Sequence, residues 1–440
     1  MLPLAACGSW QRVGTPEPTA TPPERVPQLF DPTSVYRNMG LIAEQGAIPF
    51  IGTIRVLAGP APDSLIVVVG LSLRNRGLAF RREGNQFIAE YRVELTFRQE
   101  AGVAQQAARD ERVRVGTFRE TQRSDESVIF QQFVPLAAGQ YVLSIVLRDR
   151  NSPNSTRYEQ LVVVPRLTPP SVAQPIAIYQ GQPRTDVRAA PEIVLNPRSS
   201  VEYGTDTLRF YTEAYGLRRG GRLVATAIDQ NGRLAWADTV RADTDAPLRP
   251  IVLVLPPDRL SLGRYELRVA VDDTAAVATP FLVAFSDQYA VANLDDIVAL
   301  LRYFPGVDSL RTLLLASPGE RSMAWQRFWR QSDPNPATPE NEALDQYFAR
   351  LQLANEQFRE EGIPGWLTDR GEVLITLGEP DDVIDRRPDI QGRGRVIYWS
   401  YNEHRLTLAF IDDSGFGRFR LDLRSRSEFL QVVNRIRRTT

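Results

Sequence analysis

Lysine is missing altogether: all 52 basic residues of this 440-residue chain are arginine, so no lysine is available as a nucleophile or Schiff-base amine. Histidine and cysteine occur once each, as His404 and Cys7. One cysteine excludes an internal disulfide and any multi-cysteine metal site. A single histidine leaves zinc-hydrolase chemistry without ligands, and a Ser-His-Asp set would have to recruit His404, which lies between Glu403 and Arg405 in an expected hairpin turn. No Gly-x-Ser-x-Gly elbow supplies a serine, and no Gly-rich phosphate loop is present. Runs of about 18 apolar residues are also absent, so no internal membrane span is expected. A formal net charge of −1 provides no global field toward nucleic acid or an anionic surface.

What is present is ordinary globular composition, 43% hydrophobic and 24% charged. At roughly 150 residues per domain the length suggests about three. The lone cysteine stands in Leu4-Ala5-Ala6-Cys7-Gly8, which resembles a bacterial lipobox, with Cys7 as the lipid attachment site. Most of the charged and apolar leader is missing ahead of it, as a start further upstream would leave it; the alternative is a chance Ala-rich match. Thr15 to Pro27, rich in Pro, Thr and Glu, suits a tether between membrane and folded body. Gly8 rather than Asp after the cysteine favours the outer membrane. The expectation is a cell-envelope protein held to the membrane through a lipid, residues 1–28 forming the start and tether.

Residues 29–166 and 171–286 read as strands. Ser64 to Leu71 is a β-branched run, Phe87 to Phe97 alternates apolar and polar residues, and Asn75-Arg76-Gly77 and Glu83-Gly84-Asn85 are turn signals. The second region repeats the first in sequence: Leu136 to Asp149 aligns without gaps on Leu260 to Asp273, sharing Leu-x-x-Gly-x-Tyr-x-Leu. Two tandem immunoglobulin-like or fibronectin-like β-sandwiches are expected, with Tyr141 and Tyr265 in a core or corner role.

After Asp287 the apolar period changes from two to about 3.6, opening residues 287–440. Asn293, Ser317-Pro318-Gly319-Glu320 and Thr338-Pro339-Glu340 look like helix starts, and Gly362 and Pro364 like a stop. Then comes Gly365-Trp366-Leu367-Thr368-Asp369-Arg370-Gly371, followed by Gly378-Glu379-Pro380-Asp381-Asp382, Tyr398-Trp399-Ser400-Tyr401 and Phe410-Ile411-Asp412. In that order these segments resemble the GWxTD-domain family of bacterial proteins. The resemblance implies an α+β C-terminal domain and brings no established reaction, so no catalytic residue and no cofactor are assigned. Leu377-Gly378-Glu379-Pro380 with Tyr398-Trp399-Ser400-Tyr401 is also similar to a pattern in small lipoproteins of the outer-membrane barrel-assembly machinery, which makes an accessory role in that assembly one alternative.

The residue types of the motif argue for structure first: Trp366 packed, Thr368 and Asp369 shaping a turn, Gly371 free to take a positive φ, and Val373, Ile375 and Leu377 alternating into a strand. Gly365, Arg370, Gly378, Pro380, Trp399 and Tyr401 complete that structural set. A last helix is expected from Ser427. The acidic residues nearby keep a claim to chemistry. Asp369, Asp381, Asp382 and Asp412, with Glu379 and Asp413, sit at turns and would hold a cation or make an acid/base pair if those turns converge. The expected function is a non-catalytic envelope scaffold or binding protein that presents the domain to a protein or envelope-polymer partner, with no nucleic-acid partner. A carboxylate- or metal-dependent envelope enzyme is the rival.

Overall fold

The computed structural model describes residues 32–439 apart from 62, 122–127, 205–206, 273, 285–293, 306–317, 336–340, 361–362 and 387–393. Cys7, the tether and the helix signals at Asn293, Ser317, Thr338 to Glu340 and Gly362 lie outside the described residues. The chain is mostly β, with sandwich-like layers of sheet followed by an α+β region.

In the first sandwich one sheet runs Ile42–Glu44, Phe50–Ala58, Ser64–Leu73, Val128–Ala137 in spatial order. In the other, Gln86–Gln99 is flanked by Gly102–Val115 and by Gly139–Asp149, with Ser155–Val164 beyond; all of these pairs are antiparallel. Val67, Val69, Tyr91, Val93, Leu143 and Ile145 meet between the sheets. The run at Ser64 to Leu71 does not alternate because both faces of its strand are covered: Val67 and Val69 point into this core and Val68 into a second one shared with the next sandwich. Gly70 lies on that outer face, where a Cβ would come within 2.7 Å of the Leu195 side chain. Glycine here permits a close approach.

The second sandwich pairs Leu208–Leu217 with Ile176–Gln182 and Ala246–Leu255 in one sheet. The other sheet has the order Ser200–Glu202, Val277–Ala284, Gly263–Val271, Arg222–Asp229, Leu234–Arg241. The repeated segment is a strand in each sandwich. Tyr141 Oη donates to Ala137 O at 2.9 Å and Tyr265 Oη to Ser261 O at 3.0 Å, so each buried ring pins the turn four residues before it. The shared Tyr thus ties a corner while Leu143, Ile145, Leu147 and Leu267, Val269, Val271 fill the two cores.

Between the sandwiches lies a polar seam that periodicity does not announce. Glu213, fully buried, accepts from Arg184 Nε and a second guanidinium nitrogen, each at 2.7 Å, and from Tyr211 and Tyr215 hydroxyls at 2.5 Å. Arg184 also donates to Ala58 O at 2.6 Å, and Ala58 N donates to Tyr215 Oη at 2.9 Å. Arg184 of the ion pair and Tyr215, which donates to Glu213, therefore both reach the first sandwich, and Gln131 Nε2 adds a bond to Ile193 O at 2.8 Å.

The C-terminal region continues the second sandwich's core without a break: Phe210, Phe281, Phe304, Trp325, Tyr347, Trp366 and Phe410 belong to one buried cluster. Helices Leu294–Leu300, Pro318–Ser332 and Glu342–Gln357 lead to the antiparallel sheet Asp382–Arg386, Arg395–Tyr401, Leu406–Asp412, Arg420–Leu421. The cap of Glu342–Gln357 is Asn341, whose Oδ1 accepts from Leu344 N at 3.0 Å while its Nδ2 donates to Trp329 O and Ser332 Oγ, both at 2.9 Å. One capping residue therefore also joins two helices.

Two expectations need correction. Asp369–Leu377 is a helix, where alternation of Val373, Ile375 and Leu377 had suggested a strand. Thr368 decides it: its Oγ1 accepts from Gly371 N at 3.1 Å and donates to Gly365 O at 2.7 Å, which caps a helix and closes the preceding 3-10 turn Gly365–Leu367. The last helix is Leu423–Thr439 and starts ahead of Ser427, because Asp422 Oδ1 accepts from Arg424 N at 2.8 Å and Ser425 N at 3.0 Å.

Candidate functional site

The motif is a joint between helices. Gly365 and Gly371 are both buried and neither has a positive φ, so the expected conformational role of Gly371 gives way to a steric one. A Cβ on Gly365 would stand 2.1 Å from Ala354 O, and one on Gly371 would stand 2.0 Å from Gly365 O. Long helix, 3-10 turn and motif helix therefore stack backbone on backbone, and only glycine fits at the two contacts. Trp366 fills the space beside them, fully buried, with its Nε1 meeting no acceptor among the described residues. Gly378 is the glycine of the set that does need a positive φ, +87°, at the end of the motif helix. Tyr401 Oη donates to its carbonyl at 3.0 Å, and Trp399 packs its ring on Phe358 and Phe410. Pro380, half-buried, follows in the turn that enters the exposed strand Asp382–Arg386.

The acidic residues go to separate places. Asp369 Oδ2 accepts from Leu421 N at 2.7 Å and its Oδ1 lies 2.6 Å from Arg426. The same guanidinium reaches Glu372 at 2.6 Å. Asp381 caps the hairpin end of the sheet through Asn402 N at 2.6 Å. Asp382 is exposed opposite Ser400, which in turn faces Thr407. Asp412 ends the strand Leu406–Asp412, five steps of about 3.4 Å beyond Thr407 and so roughly 17 Å along it. Glu379 and Asp413 are exposed. No group of three or more His, Cys, Asp or Glu able to hold a metal occurs among the described residues.

Asp412 is the most constrained of them. Burial alone would raise its pKa, but bonds from Ser414 Oγ at 2.8 Å, Gly417 N at 2.7 Å and Gly415 N at 2.9 Å outweigh it and hold the carboxyl below its ordinary value. The arrangement fixes a tight loop with Phe416 at its tip, 85% exposed. Arg370 does not pair with a motif carboxylate. Its guanidinium lies 4.9 Å from the Phe358 ring centre and 4.3 Å from that of Phe419, with Glu360 at 4.0 Å, and burial lowers its pKa. Glu360, buried, accepts from Phe419 N at 3.1 Å and Arg420 at 2.9 Å. Sequence reasoning passed over Glu360 and Arg426, because the groups hydrogen-bonded to them, Phe419 and Arg420 for the first and Asp369 and Glu372 for the second, lie more than fifty positions away and no local pattern marks them.

Residues 264–430 match the family model of the GWxTD domain. Those residues form a GWxTD domain. The match begins inside the strand Gly263–Val271 of the second sandwich and ends within the last helix, so the GWxTD region takes in the tyrosine corner of Tyr265 as well as the motif joint. No curated protein matches the chain. Solved structures with detectable similarity include red sea bream transglutaminase, 12% identical over 60% of this chain and 34% of that one with a TM-score of 0.17. They also include the Salmonella alpha-2-macroglobulin reacted with methylamine, 13% identical over 55% of this chain and 17% of that one with a TM-score of 0.18. The trypsin-activated alpha-2-macroglobulin of Escherichia coli is 12% identical over 54% and 17%, again with a TM-score of 0.18. The chain spans about a third of the transglutaminase and about a sixth of each macroglobulin.

Trp325, Trp366 and Trp399 are buried and Trp329 packs partly against the core, so the tryptophans serve the interior. Among the described residues of the GWxTD region, the exposed large apolar side chains are Met323, Val383, Ile384, Phe416, Leu423 and Leu430.

Proposed function

We propose that this GWxTD protein is a non-catalytic cell-envelope protein, lipid-anchored at Cys7 in the outer membrane, whose sandwiches carry the GWxTD domain as a scaffold or binding surface for a protein or envelope-polymer partner. The observation that supports it is the use of the motif's polar groups. Thr368 caps a helix, Asp369 is bound to Leu421 N and Arg426, and Asp412 ties its own loop, while Asp382 and Asp412 stand far apart on the sheet. Groups committed in this way position backbone, and Asp369, Asp382 and Asp412 do not gather at one point. The acylatable cysteine and the Pro/Thr-rich stretch after it support the anchor.

Photocrosslinkers placed at Val383, Phe416 and Leu430 in cells test the binding reading: a discrete adduct from at least one position is expected, and its absence from all three sinks it. Acyl labelling of the wild type and of Cys7→Ala tests the anchor separately. Label confined to the wild type is expected; equal labelling, or none, removes the anchor.

A further inference from the structure

Between the hairpin Arg395–Tyr401/Leu406–Asp412 and the last helix lies an open groove of about 550 Å³, lined by Tyr398, His404, Arg405 and Thr407 from the sheet side and by Gln431 and Arg435 from the helix, among others. Its volume is that of a site for a small organic ligand, ordinarily about 300–1,000 Å³. Two carboxylates line it as well, and both are occupied. Asp422 accepts from Arg424 N, from Ser425 N and from Ser425 Oγ at 2.6 Å. Glu428 accepts from Arg424 Nε at 2.9 Å. Ser425 Oγ in turn accepts from Ala409 N at 2.9 Å, so the groove floor is pinned to the sheet.

Arg405 stands apart from this network. It is exposed, and its guanidinium meets no partner among the described residues. It also occupies a backbone position that favours another residue: φ is +50° where Arg405 N closes the turn on Asn402 O at 3.1 Å. Glycine or asparagine is the usual occupant of such a hairpin position. The fold therefore tolerates local strain to hold an uncommitted cation at the mouth of a groove whose other walls offer hydroxyl, amide and imidazole groups.

We propose that this groove binds an anionic sugar unit, a hexose phosphate or a uronate, with Arg405 as the anion contact. Arg435, reaching the groove from the end of the helix, flanks the anion, and Tyr398, Thr407, His404 and Gln431 meet the sugar hydroxyls. The assignment rests on the binding reading above and narrows it to one ligand class, the kind of unit an acidic envelope polymer repeats.

Titration calorimetry on the full chain at low salt tests it, with glucose 6-phosphate, glucuronate, inorganic phosphate and glucose as probes. Saturable one-site binding of glucose 6-phosphate or glucuronate is expected, with glucose giving none at the same concentration. Arg405→Gly relieves the strained φ, so its melting point stays level or rises while affinity falls by about tenfold or more; Arg405→Lys retains part of the affinity. Absence of saturable binding by both anions, equal affinity in Arg405→Gly, or glucose binding as tightly as glucose 6-phosphate overturns the site. Phosphate alone binding as tightly as glucose 6-phosphate overturns the sugar assignment. A crosslinked partner that persists in Arg405→Gly shows the groove proposal failing while the binding reading stands.

Discussion

Replacing Gly371 by alanine sets two effects against each other. In a helix interior alanine is better than glycine by about 1 kcal/mol, so propensity alone favours the substitution. The new Cβ would stand 2.0 Å from Gly365 O, 2.9 Å from the Gly365 carbonyl carbon and 3.0 Å from Trp366 Cα. All three are backbone atoms of the motif itself and cannot rotate aside. The 3-10 turn cannot retreat either, since Gly365 is already pressed on Ala354 O. Overpacking of this kind costs about 1–3 kcal/mol, and with no soft neighbour the upper end applies, leaving a net loss of about 2 kcal/mol. For a unit of this size that lowers the melting midpoint by roughly 4–8 °C. The measurement is thermal unfolding followed by the fluorescence of Trp325, Trp329, Trp366 and Trp399. A midpoint that is unchanged or raised in Gly371→Ala would refute the packing account of the motif.

Trp366→Ala, which empties a fully buried site, should cost about 3–5 kcal/mol, read as loss of the C-terminal transition in denaturant while the first sandwich keeps its own. Asp412→Asn removes one of the acceptors that its loop requires and should destabilise by about 1–3 kcal/mol, seen as faster proteolysis next to Phe416. The same carboxyl makes stability pH-dependent: its folded pKa lies below the unfolded one, so its contribution is complete above the unfolded value and is lost as pH falls through the folded value. Acid unfolding of the wild type should therefore be steeper below about pH 4 than that of Asp412→Asn. Glu213→Ala leaves the Arg184 charge buried without its partner and should cost about 3–5 kcal/mol, with the sandwich seam opening to hydrogen exchange; seam amides as protected as in the wild type would contradict this.

Much of the β architecture was legible because its causes are local. Period-two patterning and the repeated Leu-x-x-Gly-x-Tyr-x-Leu gave both sandwich strands and the corner role of Tyr141 and Tyr265. The motif helix misled because Val373, Ile375 and Leu377 satisfy a strand period while Val373, Leu374 and Ile375 are all buried on a helix; a single threonine cap settled what hydropathy left open. Gly371 was assigned a conformational role for want of any sequence mark that separates a glycine chosen for φ from one chosen for clearance. Glu213, Glu360 and Arg426 act across 29, 59 and 54 positions respectively. Such partners leave no trace in spacing, so neither the inter-sandwich seam nor the internal use of Asp369 was readable beforehand.

The shared core that runs from the second sandwich into the helices changes what counts as a part of this molecule. The kinship recognised at residues 264–430 opens one residue into a strand whose neighbour, Arg222–Asp229, lies outside it. A fragment cut at that border would carry Arg264 to Val271 and Val277–Ala284 as a two-stranded remnant, bare along both outer edges where Arg222–Asp229 and Ser200–Glu202 had paired. Cut instead after residue 286, it would divide the shared core and part the helix Pro318–Ser332 from the turn Pro257–Arg259 against which it packs. Grafting the GWxTD region onto another carrier should therefore succeed only when the whole second sandwich travels with it, as a cassette with its own socket attached.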